Sequence, residues 1–159
     1  MTLQIRPAMA NDLPGLLDLY ADMDGRPAPS WAQATELYAA IARVPDYTLY
    51  LAYQEEMIDP VGTFSLLEVP TFMHTGYYKY AVLDAVTIRA ALRGQGLGRD
   101  MVRQALQQCQ QRGCYKVTLS SNLSRLSAHR FYEKLGFSQH GWSFSLAIAT
   151  PPVPLNPPH

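Results

Sequence analysis

The stretch AVLDAVTIRAALRGQGLGRDMVRQALQQC, Ala81 to Cys109, decides the fold. Its opening, Ala81 to Ile88, is almost continuously apolar, as expected of a strand buried on both faces of a sheet. Its closing part sets Met101, Val102, Ala105, Leu106 and Cys109 on one stripe of a helix that Gly113 ends. Between them stand Gly94, Gly96 and Gly98, flanked by Arg93 and Arg99. Glycines here let backbone N–H groups converge with no Cβ in the way. The helix start adds unpaired donors and the positive end of its dipole, and the arginines add charge-assisted hydrogen bonds. Strand, turn and helix together predict a seat for a phosphate or pyrophosphate. The bland alternative is a tight turn that holds no ligand.

Outward from this core, Leu3 to Arg6 alternates as a first strand ending at Pro7. Asn11 is the expected N-cap of a helix through Leu13, Leu16, Leu17 and Tyr20, which Gly25, Pro27 and Pro29 break. Ser30 and Gln33 make a capping-box pattern for a second helix along Trp31, Ala34, Tyr38 and Ile41. Tyr47–Gln54 and Val61–Leu67 read as antiparallel strands, and Pro70–Tyr78 as a loop rich in Tyr and Thr. Beyond the central helix, Tyr115–Ser120 is a strand. A helix from about Ser124 to Leu135 packs through Ala128, Phe131 and Leu135. A final strand falls within Trp142–Ala149. The fold class is therefore α/β, with one mixed sheet in a single domain over 1–150 and a proline-rich tail at 151–159.

Composition narrows the function. The chain has 159 residues, 48% of them apolar, which suits one domain with a sizeable core. Its 13 basic and 13 acidic side chains exclude a generally basic nucleic-acid binder. The balance hides a division: residues 1–84 carry 11 acids against 4 bases, and residues 85–159 carry 2 against 9. No apolar run reaches the roughly 18 residues of a membrane helix, and the start lacks the pattern of a signal peptide. Cytoplasmic location is the expectation. The 2 cysteines, Cys109 and Cys114, read as small buried hydrophobes, too few for a disulfide framework or a four-ligand metal site.

Two common phosphate binders fail on the residues. A dinucleotide fold wants G-x-G-x-x-G and an acid about 20 positions later, whereas Leu119, Ser121 and Asn122 stand there. A P-loop wants Lys then Ser or Thr after its glycines, but Gly98 precedes Arg99-Asp100. What stands here is R-x-x-G-x-G, Arg93, Gly96 and Gly98, followed by Asn122 and by AHRFYEKLGF from Ala128 to Phe137. Both motifs resemble those of the GCN5-related N-acetyltransferases, the GNAT superfamily. The order β-α-α-β-β-β-α-β-α-β is also similar to that family's layout, a central, mostly antiparallel mixed sheet flanked by helices.

The resemblance implies an N-acetyltransferase that moves the acetyl group of acetyl-CoA to a primary amine by direct attack in a ternary complex. It places the pantetheine arm along Val86, Thr87 and Ile88, one of whose amides would polarise the thioester carbonyl. It places the pyrophosphate on the amides of Gly94, Gln95, Gly96, Leu97, Gly98 and Arg99, with Arg93 beside them, and Asn122 where the central strands splay. Tyr132 falls on the family's general acid, or else is packing beside Phe131. A phenol with pKa near 10 is roughly matched to a leaving thiol near 8.5. Asp84, an acid in an otherwise apolar strand, would take the amine proton, hold the ammonium, or make a structural hydrogen bond.

The acidic half predicts a small cationic acceptor steered by Asp22, Asp24, Glu55, Glu56 and Glu68, with Tyr77, Tyr78 and Tyr80 near the pocket or packing at its rim. His74 is a weaker substrate contact, and His129 is read as a surface residue rather than a base. Two other functions stay open: a non-catalytic acyl-CoA sensor, and a protein or peptide acetyltransferase acting on lysines or N-termini. By analogy the family allows a homodimer, the last strand pairing across subunits. No membrane partner is expected.

Overall fold

The computed structural model describes residues 3–147. Five strands form one sheet in chain order, β1 (Leu3–Pro7), β2 (Tyr47–Gln54), β3 (Gly62–His74), β4 (Tyr77–Ile88) and β5 (Val117–Thr118). The first four pair antiparallel, and β5 joins β4 in parallel, so the sheet is mixed as predicted. A parallel neighbour needs a crossover, and helix α3 (Leu97–Gln111) supplies it. Helices α1 (Leu13–Asp24) and α2 (Trp31–Ile41) precede β2, and α4 (Leu126–Lys134) follows β5.

Two apolar clusters hold these layers. Phe64, Leu66, Leu83, Met101, Val102 and Ala105 join the sheet to α3, with Phe131, Leu135 and Phe137 from α4 and its end packed against them. Leu13, Leu16 and Leu19 of α1 meet Leu49 and Leu51 of β2 in the second. Each such leucine contributes about 1.5–3 kcal/mol on burial. The Ser30–Gln33 box forms as predicted: the Gln33 amide donates to Ser30 Oγ and the Ser30 amide to Gln33 Oε1.

Four expectations need correction. Asn11 does not cap α1; residues 10–12 make a 3-10 turn, and Asp12 anchors the entry. Its carboxylate accepts two hydrogen bonds from Arg6, at 2.6 and 2.7 Å, and one from the Met9 amide. A charged fork outcompetes a neutral side chain for that position. The expected loop at Pro70–Tyr78 is instead hairpin: β3 runs to His74 and β4 starts at Tyr77. The Tyr, Thr and Phe that suggested a loop are strand formers once a partner is present, and only Thr75-Gly76 turns. The strand placed at Tyr115–Ser120 contracts to Val117–Thr118. Residues 142–147 of the expected last strand form none, because no neighbouring strand extends a ladder to them; Trp142, Phe144 and Leu146 are exposed. Residues 148 and 149 of that strand, and the tail at 151–159, lie outside the described residues.

Candidate active site

The short β5 creates the site. Its ladder with β4 consists of Ala81 opposite Val117 and Val82 opposite Thr118. Past Val82, then, β4 has β3 on one side only, and the backbone of Val86, Thr87 and Ile88 borders an opening on the other. On the β3 side the register slips between Ser65–Asp84 and Thr63–Thr87, a bulge centred on Ala85, whose φ is +51°. Bulges re-aim side chains. Here the bulge leaves Asp84 exposed, contrary to the buried carboxylate that the apolar run suggested. Its Oδ1 accepts the Ala85 amide at 2.7 Å.

β4 ends in the glycine turn. Gly94 and Gly96 have φ of +80° and +86°, which only glycine adopts without strain. Gly96 is the N-cap of α3, and having no side chain it leaves the helix uncapped. The first backbone bond across the start of α3 is Asp100 N–H to the Gly96 carbonyl, 3.1 Å. The amides of Leu97, Gly98 and Arg99 thus retain the donors that a helix start normally leaves orphaned. A Cβ on Gly96 would lie 3.3 Å from Arg99 Nη2, and one on Gly98 would touch Ile88 and Phe131. The turn thus offers main-chain donors of the kind that bind anions at helix starts.

Side chains around the cradle are partly engaged. Leu97 is buried in the core, so only its backbone faces an anion, whereas Gln95 is exposed. Arg93 Nε donates to the Ile88 carbonyl at 2.9 Å, tying the turn to the strand end. Arg99 Nε donates to Asp100 at 3.0 Å. Asn122, at the splay, uses Oδ1 to accept the Ser124 amide and hydroxyl, and its carbonyl meets Arg125 N–H and the His129 ring. Its carboxamide oxygen therefore fixes the turn that leads into α4. His129 is a structural tie.

Tyr132 lies half-buried between Phe131 and Phe137, ring centroids 5.1 and 5.6 Å away. Burial raises its pKa, the Arg125 charge opposes this, and the Asp84 charge adds to it. The structure thus brings Tyr132 and Asp84 within electrostatic reach, with the phenol held in its proton-bearing form.

A cavity of about 440 Å³ lies between α1 and α2, lined by Leu16, Leu17, Tyr20, Leu37 and Tyr38 among others, and it reaches Ala85 at the bulge. Tyr77 and Tyr78 are exposed on the hairpin, and neither they nor Tyr80 line it. Tyr77 and His74 pack on Tyr115. The acids have other tasks. Asp22 accepts the Ala90 amide at 2.7 Å, bracing the turn after β4. Glu68 is buried and bonds Lys79 at 2.7 Å and Arg112 at 2.6 Å. Burial pushes its carboxyl up, and the two cations outweigh that and hold it below the usual range. Glu55 and Glu56 border a separate cleft with Arg6 and Tyr53. Cys109 is buried, its thiol pushed up to about 11 by desolvation, and Cys114 is raised likewise, so neither is a ready nucleophile.

Sequence reasoning missed Tyr20, Leu37 and the cavity they line. Its signal was the Gly25-Arg26-Pro27-Ala28-Pro29 break, which holds two helices apart. Among the described residues no group of three or more metal-ligating side chains occurs, and no helix is long and apolar enough to cross a membrane.

A mixed sheet whose central strand loses its parallel neighbour thus lies beside a glycine turn and an uncapped helix start. Comparison with known proteins assigns the family. The model of the Acetyltransferase (GNAT) family matches residues 13–137. The chain is 30% identical over 138 residues to the glucosamine 6-phosphate N-acetyltransferase of Trypanosoma brucei brucei, covering 87% of this chain and 90% of that one. A solved structure from Agrobacterium tumefaciens str. C58 is 34% identical with a TM-score of 0.83, over 91% of this chain and 99% of that one. The aminoalkylphosphonate N-acetyltransferase of Salmonella typhimurium is 30% identical over 66 residues, 42% of this chain and 43% of that protein. The chain belongs to the GNAT acetyltransferase family.

Proposed function

We propose that the chain transfers the acetyl group of acetyl-CoA to the nitrogen of a primary amine by direct attack, with both substrates bound together. One observation carries this: the open edge of β4 runs from the Asp84–Ala85 bulge to an uncapped glycine cradle, with Tyr132 alongside. When bound, acetyl-CoA supplies an acetyl thioester as the electrophile. The amides of Gly94 to Arg99 hold its pyrophosphate, and Arg93 and Arg99 add positive charge. Backbone groups of Val86, Thr87 and Ile88 align the pantetheine arm and polarise the carbonyl. Tyr132 Oη donates a proton to the departing sulfur. The acceptor attacks as the neutral amine, and Asp84, whose Oδ1 alone is engaged by the Ala85 amide, takes up at Oδ2 the proton that the nitrogen loses as the C–N bond forms.

Relatives named for amine acetylation support the reaction class. The test is a panel of primary amines incubated with acetyl-CoA, following free thiol. The expected result is amine-dependent thiol release. Tight binding of acetyl-CoA with no thiol release for any amine would instead favour a sensor.

A further inference from the structure

The cavity that ends at Ala85 is apolar on nearly every side. Leu13, Leu16, Leu17 and Leu37 form its walls with Tyr20, Tyr38 and Tyr47, and among the described residues Arg26 is the charged one in the lining. Its volume, about 440 Å³, falls in the range of small-molecule sites. Of the acids expected to steer a small cationic acceptor, Asp22 accepts the Ala90 amide, Glu68 is paired, and Glu55 and Glu56 border another cleft. Asp84, next to the lining residue Ala85 in the bulge, is near enough for its charge to act on Tyr20 of the lining.

Tyr20 strengthens the polarity pattern. Burial pushes its phenol up to about 12, the neighbouring Tyr47 and the Asp84 charge add to this, and a hydrogen bond with Thr63 opposes it. It remains neutral at any working pH, so the cavity floor offers a hydroxyl and no anion. One negative charge at the reaction strand and an apolar chamber behind it match a ligand with one cationic end and an apolar body.

We infer that the acceptor is a monoamine on an alkyl or aryl body. Its amine sits at Asp84 and its apolar part fills the space between α1 and α2. This rests on the N-acetyltransferase reading above and narrows it. Polyamines are disfavoured because their further ammonium groups would lose water without gaining an anionic partner among the lining residues.

The experiment is a homologous series from propylamine to hexylamine, with spermidine and glucosamine 6-phosphate beside it. The expected result is a rise in kcat/KM of about threefold per methylene. Leu37→Gln, at a position 46% exposed and so tolerant of change, should flatten that slope. A flat series, or spermidine or glucosamine 6-phosphate outperforming hexylamine, overturns the inference. Calorimetry on the unmodified chain keeps the two claims apart. Absence of heat with coenzyme A sinks the transferase reading, whereas hexylamine binding no tighter than propylamine sinks this one.

Discussion

The donor side and the acceptor side of this chain are built by opposite means. The donor side, residues 81–137, grips through backbone: two left-handed glycines, an uncapped helix start and a strand edge left unpaired beyond Val82. The proposed acceptor side would grip through side chains of α1 and α2 that line an apolar cleft partly open to solvent. Backbone recognition needs particular residues at fixed spacing, because only glycine reaches those dihedrals and only an uncapped helix leaves its amides bare. Shape recognition by side chains accepts many solutions. The first kind leaves a motif, and the second leaves only amphipathic helices like any others.

The largest effect should follow from Tyr132→Phe, which removes the proton donor and keeps the packing against Phe131 and Phe137. A fall in kcat of about 10²–10⁴ with little change in KM for acetyl-CoA is expected. In the unchanged enzyme the basic limb of kcat should lie above tyrosine's ordinary value of about 10, since burial raises this phenol. An unaltered kcat in the variant would return Tyr132 to a packing role.

A smaller effect separates the two sides through stability. Asp12 anchors the start of α1, an acceptor-side wall, and the Arg6 hydrogen bonds hold its carboxyl down at about 2. A carboxyl depressed on folding stabilises fully above its unfolded value near 4, and loses that contribution as pH falls toward 2. Asp12→Asn should cost on the order of 1–2 kcal/mol at pH 7, discounted for the partly exposed Arg6, and much less at pH 2, where the folded-state carboxyl is about half protonated. Urea unfolding at the two pH values measures the difference. An equal cost at both would show that charge plays no part.

Much of the donor side was legible beforehand. The element sequence, the mixed sheet and the glycine turn all follow from Ala81–Cys109, because apolar run, glycines and amphipathic stripe agree with one another. The exposure of Asp84 was not legible. A one-residue bulge at Ala85 depends on how β3 and β4 pair, which no local pattern reports. Nor was the length of β5, set by where its chain diverges from β4 rather than by its apolar composition. The charge division likewise does not say where its acids go. Composition records how many acids the first half holds, but not that Glu68 and Asp22 would be taken up by Lys79, Arg112 and a backbone amide.

The direct test of the anion cradle is calorimetric titration of coenzyme A into the unmodified chain and into Gly96→Ala. A methyl group at φ +86° strains the turn by about 1–2 kcal/mol and crowds Arg99. The account predicts saturable one-site heat for the first protein and affinity weakened about tenfold or more in the second, with α3 still folded by circular dichroism. No heat in the unmodified chain, or equal affinity in the two, would contradict it.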